Sequence, residues 1–217
     1  MNGSDADDTT SESDWTGSDS RSDHESPEPP AGGAIDQPLD AIIDAAAATS
    51  SVAQASLNGR ERGSRPNRVS SVLVAVGPGP HSGATVDVAR RIASETDAWL
   101  ELFHVAPSPA ALADADAEDG SADPAAEASA VDGDELLTAA RERLGDFDRV
   151  DRWLVEDESA AGAIVEQSPY YDLVVVGAST TGTVGRFVFG STTDTVVDEA
   201  AVPVVVVASD TPAPLRE

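Results

Sequence analysis

From Val69 onward, short β-branched runs alternate with stretches whose apolar positions recur every three or four residues. That pattern predicts parallel strands buried on both faces and linked by amphipathic helices. The predicted strands are Ser71–Val76, Trp99–Val105, Val150–Val155, Asp172–Gly177 and Val202–Val207. Helices are predicted over Gly83–Thr96, with Val88, Ala89, Ile92 and Ala93 inward, and from Asp134, with Leu136, Leu137, Ala140 and Leu144 inward. Two more cover Ser159–Gln167 and a segment starting at Ser191, where Ser191 and Asp194 have the spacing of a capping box. Strands and helices in strict alternation predict an α/β fold, an open doubly wound sheet of five parallel strands.

The segments outside this pattern read differently. Residues 1–34 are Ser, Asp, Glu, Pro and Gly with Trp15 as the only large aromatic side chain, a composition that cannot bury enough surface to offset the entropy of ordering. They are predicted to form a disordered acidic tail. Between Ile35 and Leu57, Ile35, Leu39, Ile42, Ile43, Ala46 and Ala47 fall at helical spacing behind Asp36 and Pro38. This predicts a short amphipathic helix, read as a weakly helical linker or as a helix that docks a partner or the domain's own surface. The run NGRERGSRPNR from Asn58 completes a 35–68 linker region with four arginines. The domain then spans 69–209, interrupted by an acidic surface loop over 106–133, and 210–217 is a C-terminal tail.

Charge narrows the list of partners. The chain has 217 residues, of which 40 are acidic and 13 basic, for a formal charge of -27, and all 13 bases are arginine. Residues 69–209 alone hold 25 acids and seven arginines, a net of 18 negative charges, so the acidity belongs to the domain and not only to the tail. Binding to nucleic acid or to an anionic membrane depends on clusters of Lys or Arg that this domain lacks. Acid excess with arginine in place of lysine is the composition expected of a halophilic protein in molar salt, where screening over about 3 Å removes most self-repulsion.

No cysteine is present, which excludes disulfides, thiolate nucleophiles and cysteine-ligated metal. The longest apolar run near the end, Val202–Ala208, has far fewer than the ~18 residues of a membrane span. The start is acidic and polar where a secretion signal is basic and then apolar. These features predict a cytoplasmic protein without a membrane anchor.

In a doubly wound sheet the ligand site lies beyond the carboxyl ends of the strands, so two loops carry the candidate chemistry. The first is Val76–Gly83, VGPGPHSG; the second is Val176–Thr193, VGASTTGTVGRFVFGSTT. Glycine-rich backbone ahead of a helix start offers unpaired N–H groups and a positive dipole end, which suit a phosphate. Neither loop is a P-loop, since the chain has no lysine. The first is no dinucleotide fingerprint: its last glycine spacing is one residue too long, Pro78 and Pro80 remove two donors, and no acid stands beside His104 and Val105 to hold a ribose. His81 and Ser82 have no third partner for a nucleophile and base set and read as loop and cap residues. His104 reads as structural. Neighbouring acids such as Asp157 and Glu158 are expected by chance in so acidic a chain, and neither a catalytic set nor a metal site is predicted.

The second loop, with Gly177 and, thirteen residues on, Gly190 followed by Ser191, resembles the nucleotide loop G-x-x-G-x9-G-[ST] of the universal stress protein family. VLVAVGPGPHSGATVDVA, LELFHV, VEDESAAGAIVEQ and DEAAVPVVVV are similar to that family's other strands and helices, and together they cover about Val69–Ala208. The resemblance implies strand order 3-2-1-4-5, and commonly a homodimer formed through the last strand, here Val204–Val207. An unpaired apolar edge at that strand fits this, because such an edge invites pairing. It further implies an ATP site in which Val105 lies near the adenine, Val176 and Gly177 end the fourth strand, and Gly190, Ser191 and Thr192 lie under the phosphates. Arg186 is the base available in the loop. Two positions depart from the family pattern: Gly77 stands where the family has an aspartate, and Thr180 where it has its second motif glycine.

The function expected is that of a non-enzymatic stress-response regulator with a possible adenine-nucleotide pocket. The alternatives are an ATP-gated or slowly hydrolysing switch, and an interaction module whose 35–57 segment recruits a protein partner.

Overall fold

The computed structural model describes residues 38–49, 53–62, 68–107, 133–157, 159–178, 191–209 and 211–215. The 1–34 tail, the body of the 106–133 loop and most of the second glycine-rich loop lie outside these residues.

Valine-rich segments such as 71–75, 173–177 and 204–207 assemble as strands because each buries both of its faces. β2 (Ser71–Ala75) is central, with β3 (Trp99–Pro107) parallel on one side and β5 (Leu173–Gly177) parallel on the other. β4 (Val150–Asp157) pairs with β3, and β6 (Val204–Ser209) with β5, also in parallel. The order β4-β3-β2-β5-β6 is the expected 3-2-1-4-5.

Alternation along the strands sends side chains into two layers. Val72, Val74, Leu100, Leu102, Val175, Val205 and Val207 face α1 (Leu39–Thr49), α2 (Ser82–Thr96) and α3 (Gly133–Arg143). Leu73, Phe103, Val174, Val176, Val204 and Val206 face α4 (Ala160–Gln167) and α5 (Ser191–Glu199). The inward stripes predicted for α2 and α3 are buried as expected, from Val88, Ala89, Ile92 and Ala93 to Leu136, Leu137, Ala140 and Leu144. Each such aliphatic side chain larger than alanine stabilises the fold by roughly 1.5 to 3 kcal/mol when fully buried. Asp97 ends α2 in the left-handed region at φ 57°, which a short polar side chain tolerates.

Three expectations need correction. The sheet has six strands, because β1 (Ala53–Asn58) pairs antiparallel with β6 from Ala53 opposite Ser209 to Asn58 opposite Val204. The predicted helix therefore ends at Thr49, and Asn58, placed in the linker, closes a strand, followed by a 3-10 turn at Arg60–Arg62. The β6 edge, expected to be unpaired, is covered by the chain itself.

The helix is also not a loose linker. Leu39, Ile42, Ile43 and Ala46 are buried in the same core as α2 and β6, so its apolar stripe is spent on the chain's own domain. An Asp40–Arg60 ion pair ties α1 to the turn after β1, and the Arg62 guanidinium donates to the carbonyls of Val197 and Ala200 at the end of α5.

Residues 211–215, expected to belong to a tail, are hydrogen-bonded to the start of α2. Gly83 N–H donates to the Ala213 carbonyl at 2.8 Å, Ala213 N–H to the Pro80 carbonyl at 2.6 Å, and Leu215 N–H to Ser82 Oγ at 3.0 Å. Among the described residues, no helix is long and apolar enough to cross a membrane.

Candidate functional site

β2 is the point at which the winding direction reverses: β3 flanks it on one side and β5 on the other. The loops leaving these three strands diverge, and a cavity of about 350 Å³ opens between them. Its floor is Ala75, Val76, Phe103, Val105 and Val176, and its walls include Ile164 of α4 and Val196 of α5. The base of the cavity is thus mostly aliphatic, a surface suited to a flat, weakly polar ring.

The polar groups of the cavity are few and most are engaged. His104 is buried, and its Nδ1 lies 2.7 Å from the Val76 carbonyl, which fixes that nitrogen as the protonated donor. The ring also packs on the start of α3: a Cβ at Gly133 would stand 2.6 Å from His104 Cδ2. Its predicted structural role follows from these contacts. His81 Nδ1 accepts the Ser209 N–H at 3.2 Å, so that nitrogen is unprotonated, and burial lowers the His81 pKa below its ordinary 6.5. Thr85 Oγ1 donates back to the His81 carbonyl at 2.9 Å, and Thr193 Oγ1 donates to the Gly177 carbonyl at 3.1 Å, holding α5 against the end of β5.

Glycine matters at Gly177, where a Cβ would meet Thr85 Oγ1 at 3.1 Å and His81 Cβ at 3.6 Å. At Gly77 the situation is the reverse, with nothing within 4 Å of the place a Cβ would occupy. Among the described residues nothing packs against that position, so none of them bars the carboxylate missing there.

Three amides at the end of the first glycine-rich loop and the start of α2 are already taken. Ser82 N–H donates to the Gly79 carbonyl at 3.1 Å, Gly83 N–H to Ala213 and Thr85 N–H to the His81 carbonyl. These donors at the α2 start are satisfied by protein, against the expectation that both loops offered free N–H groups.

Val105, Val176, Gly177 and Thr192 all line the cavity, so four of the candidate residues come together. Ser191 is the first residue of α5. Arg186 and Gly190 lie outside the described residues, as does Thr180. Sequence reasoning missed Phe103, Ile164, Thr193 and Val196, which look like ordinary core positions along the chain. No local pattern marks them: Phe103 lies midway along β3, Ile164 and Val196 on the second turns of α4 and α5, and Thr193 near the start of α5. Among the described residues, no group of three or more His, Asp or Glu side chains is placed to hold a metal ion.

An open doubly wound α/β sheet with a cavity at its switch point is the class of protein defined by this geometry. The family model for the universal stress protein family matches residues 69–208, and the chain belongs to that family. Universal stress protein UspA from Lactobacillus plantarum is similar in fold, at 24% identity and TM-score 0.50, covering 65% of this chain and 99% of its own. A universal stress protein from Archaeoglobus fulgidus matches at 17% identity and TM-score 0.50, covering 64% and 98%. A universal stress protein in complex with cAMP matches at 21% identity and TM-score 0.47, covering 64% and 96%. No match was found among curated proteins. The family match begins at residue 69, so α1 and β1 precede the matched region.

Proposed function

We propose that this universal stress protein is a stress-response regulator whose switch-point cavity binds an adenine nucleotide, with binding rather than turnover as its activity. The observation that carries the reading is the cavity of about 350 Å³ across the ends of β2, β3 and β5. Its aliphatic floor fits a purine. Val105, Ile164 and Val176 would hold the base, and backbone at Gly177 gives close approach. The start of α5 at Ser191 and Thr192, with Gly190 and Arg186 ahead of it, would meet the phosphates. A binding role is favoured over hydrolysis because His81 and His104, the titratable side chains in the cavity, each use Nδ1 on a backbone group. The lysine-free acidity supports a working environment of molar salt.

The test is calorimetric titration with ATP and with AMP at about 1 M salt, a regime where the screening length is about 3 Å. Saturable binding at one site, lost in Gly177→Val, is expected. No binding heat, together with no adenine nucleotide in the purified protein, would sink the reading.

A further inference from the structure

Among the described residues the sheet leaves one long edge open at β4. β6 is covered by β1, whereas β4 ends the strand order with no described strand beyond it. Asp151, Arg152, Trp153 and Leu154 are exposed in succession along it. Trp153 and Leu154 are 39% and 42% exposed, one on each face of the sheet in the middle of the strand. The Trp153 ring meets Phe103 edge-on at 5.3 Å between centroids, and Leu154 lies beside Gly133 at the start of α3. A bare edge that is apolar on both faces at the same point is a template for another strand.

The pairing with β3 fixes which hydrogen-bonding groups of this edge are free. Leu100 N–H donates to the Arg149 carbonyl at 2.9 Å, so the odd-numbered positions from 149 onward turn their backbone groups toward β3. Alternation turns those of Val150, Arg152, Leu154 and Glu156 outward. Set antiparallel against a copy of itself about a twofold axis, β4 can join these outward groups in a register centred on Leu154. Leu154 then meets the partner's Leu154 on the axis, Arg152 meets the partner's Glu156, and Trp153 meets the partner's Val155. Symmetry makes the last two contacts occur twice.

We propose that the β4 edge binds β4 of a second copy of this chain, antiparallel, with Leu154 on the twofold axis. The occupant is a copy because the strand VDRWLVED is complementary to itself: its one base, Arg152, and the acid Glu156 stand equally far from Leu154, and Trp153 and Val155 lie between. Shifting the register by two residues one way sets Arg152 opposite the partner's Leu154. Shifting it the other way sets Leu154 opposite the partner's Glu156 and carries Arg152 past the end of β4. The centred register does bring Asp151 opposite the partner's Asp157. Asp157 Oδ1, however, accepts its own chain's Ser159 N–H at 2.9 Å, and in molar salt screening over about 3 Å weakens the repulsion that remains. No residue of β4 lines the cavity, so this assembly is tested separately from nucleotide binding.

The experiment is sedimentation velocity on the full chain at about 1 M salt. Wild type is expected at the mass of two chains and Leu154→Asp, which sets like charges face to face on the axis, at the mass of one. Arg152→Glu is expected to weaken association by about tenfold or more, and Arg152→Glu/Glu156→Arg to restore it, because the exchange rebuilds both ion pairs. Should Leu154→Asp lose its circular dichroism signal, the two Arg152 variants, altered only at exposed positions, carry the test. In Leu154→Cys, whose cysteine is the sole thiol of the chain, a short bismaleimide is expected to join two chains. In Gln54→Cys, exposed on β1 at the opposite edge, it is expected to join none. Wild type at the mass of one chain, a folded Leu154→Asp that stays at two, an exchange that fails to restore what Arg152→Glu loses, or cross-linking through Gln54→Cys in preference to Leu154→Cys would each overturn the proposal.

Discussion

The amide of Gly83 donates to the carbonyl of Ala213 at 2.8 Å, and a Cβ on Gly83 would stand 2.5 Å from that same oxygen. The start of α2, which along the chain looks like an anion site, is therefore the docking point of the last residues described. Glycine is required at this position by contact: only a residue without a side chain lets the segment approach this closely.

Gly83→Ala is accordingly expected to destabilise the fold by about 1 to 3 kcal/mol, the cost of forcing atoms into a packed site. The melting temperature falls by about 2 to 4 °C for each kcal/mol in a chain of this size. Hydrogen exchange at Ala213 and Leu215 should rise with it, because their amides donate to Pro80 and Ser82 in this contact. A melt unchanged within a degree, with both amides still protected, would show that the segment tolerates the methyl group.

Asp172 holds the entry to β2 from the neighbouring strand. Its Oδ2 accepts from Ser70 N–H at 2.8 Å, from Ser71 N–H at 3.1 Å and from Ser71 Oγ at 3.3 Å. Asp172→Ala is expected to cost about 1.5 to 3 kcal/mol, as for hydrogen bonds to a charged group, and Asp172→Asn less, since an acceptor remains. Chemical denaturation of the two variants should rank them in that order.

Glu101 on β3 lies opposite Asp151 on β4. Burial first, and then the Asp151 charge, raise the Glu101 pKa above its ordinary 4.5, and the same carboxylate adds to the burial that pushes Tyr171 to about 12. A raised carboxylate pKa means the folded state holds its proton more tightly than the unfolded one. Stability from this group is present below pH 4.5 and is lost as pH rises through the folded pKa. Glu101→Gln should therefore raise the melting temperature at pH 7 and lose that advantage as pH approaches 4.5. Equal gains at both pH values would place the effect outside titration.

Gly77→Asp combined with Thr180→Gly is expected to tighten ATP binding about tenfold, or 1.4 kcal/mol. Among the described residues nothing lies within 4 Å of the position a Cβ would take at Gly77, so the carboxylate enters the cavity mouth without displacing any of them. Calorimetry on the single and double variants apportions the gain. Affinity unchanged in all of them would remove these two positions from the account of the pocket.

The alternation of strands and helices, the inward stripes of α2 and α3 and the two loops that bound the cavity were legible along the chain, because periodicity and β-branched runs are local signals that burial enforces, whereas the strand order came from the resemblance to the family. The resemblance to the family picked out Val105, Val176 and Gly177 near strand ends and Thr192 at the start of α5. It passed over Phe103, Ile164 and Val196, whose role in the cavity depends on which neighbours face them across the sheet.

What the sequence by itself determined is the α/β class and the switch point, since a run such as Leu173–Gly177 can be satisfied only by burial on both faces. Tertiary structure decided the rest. AQASLN alternates apolar and polar residues but has no β-branched side chain and follows an alanine-rich helical pattern, and it becomes β1 because β6 offers it a row of unpaired backbone groups. The Gly83 N–H at the start of α2 looks free in the chain, and is taken because β6 leads residues 211–215 back across it. Hydrogen bonds between segments 130 or more residues apart leave no periodic trace in either partner, which is why these two contacts had to be seen in the fold.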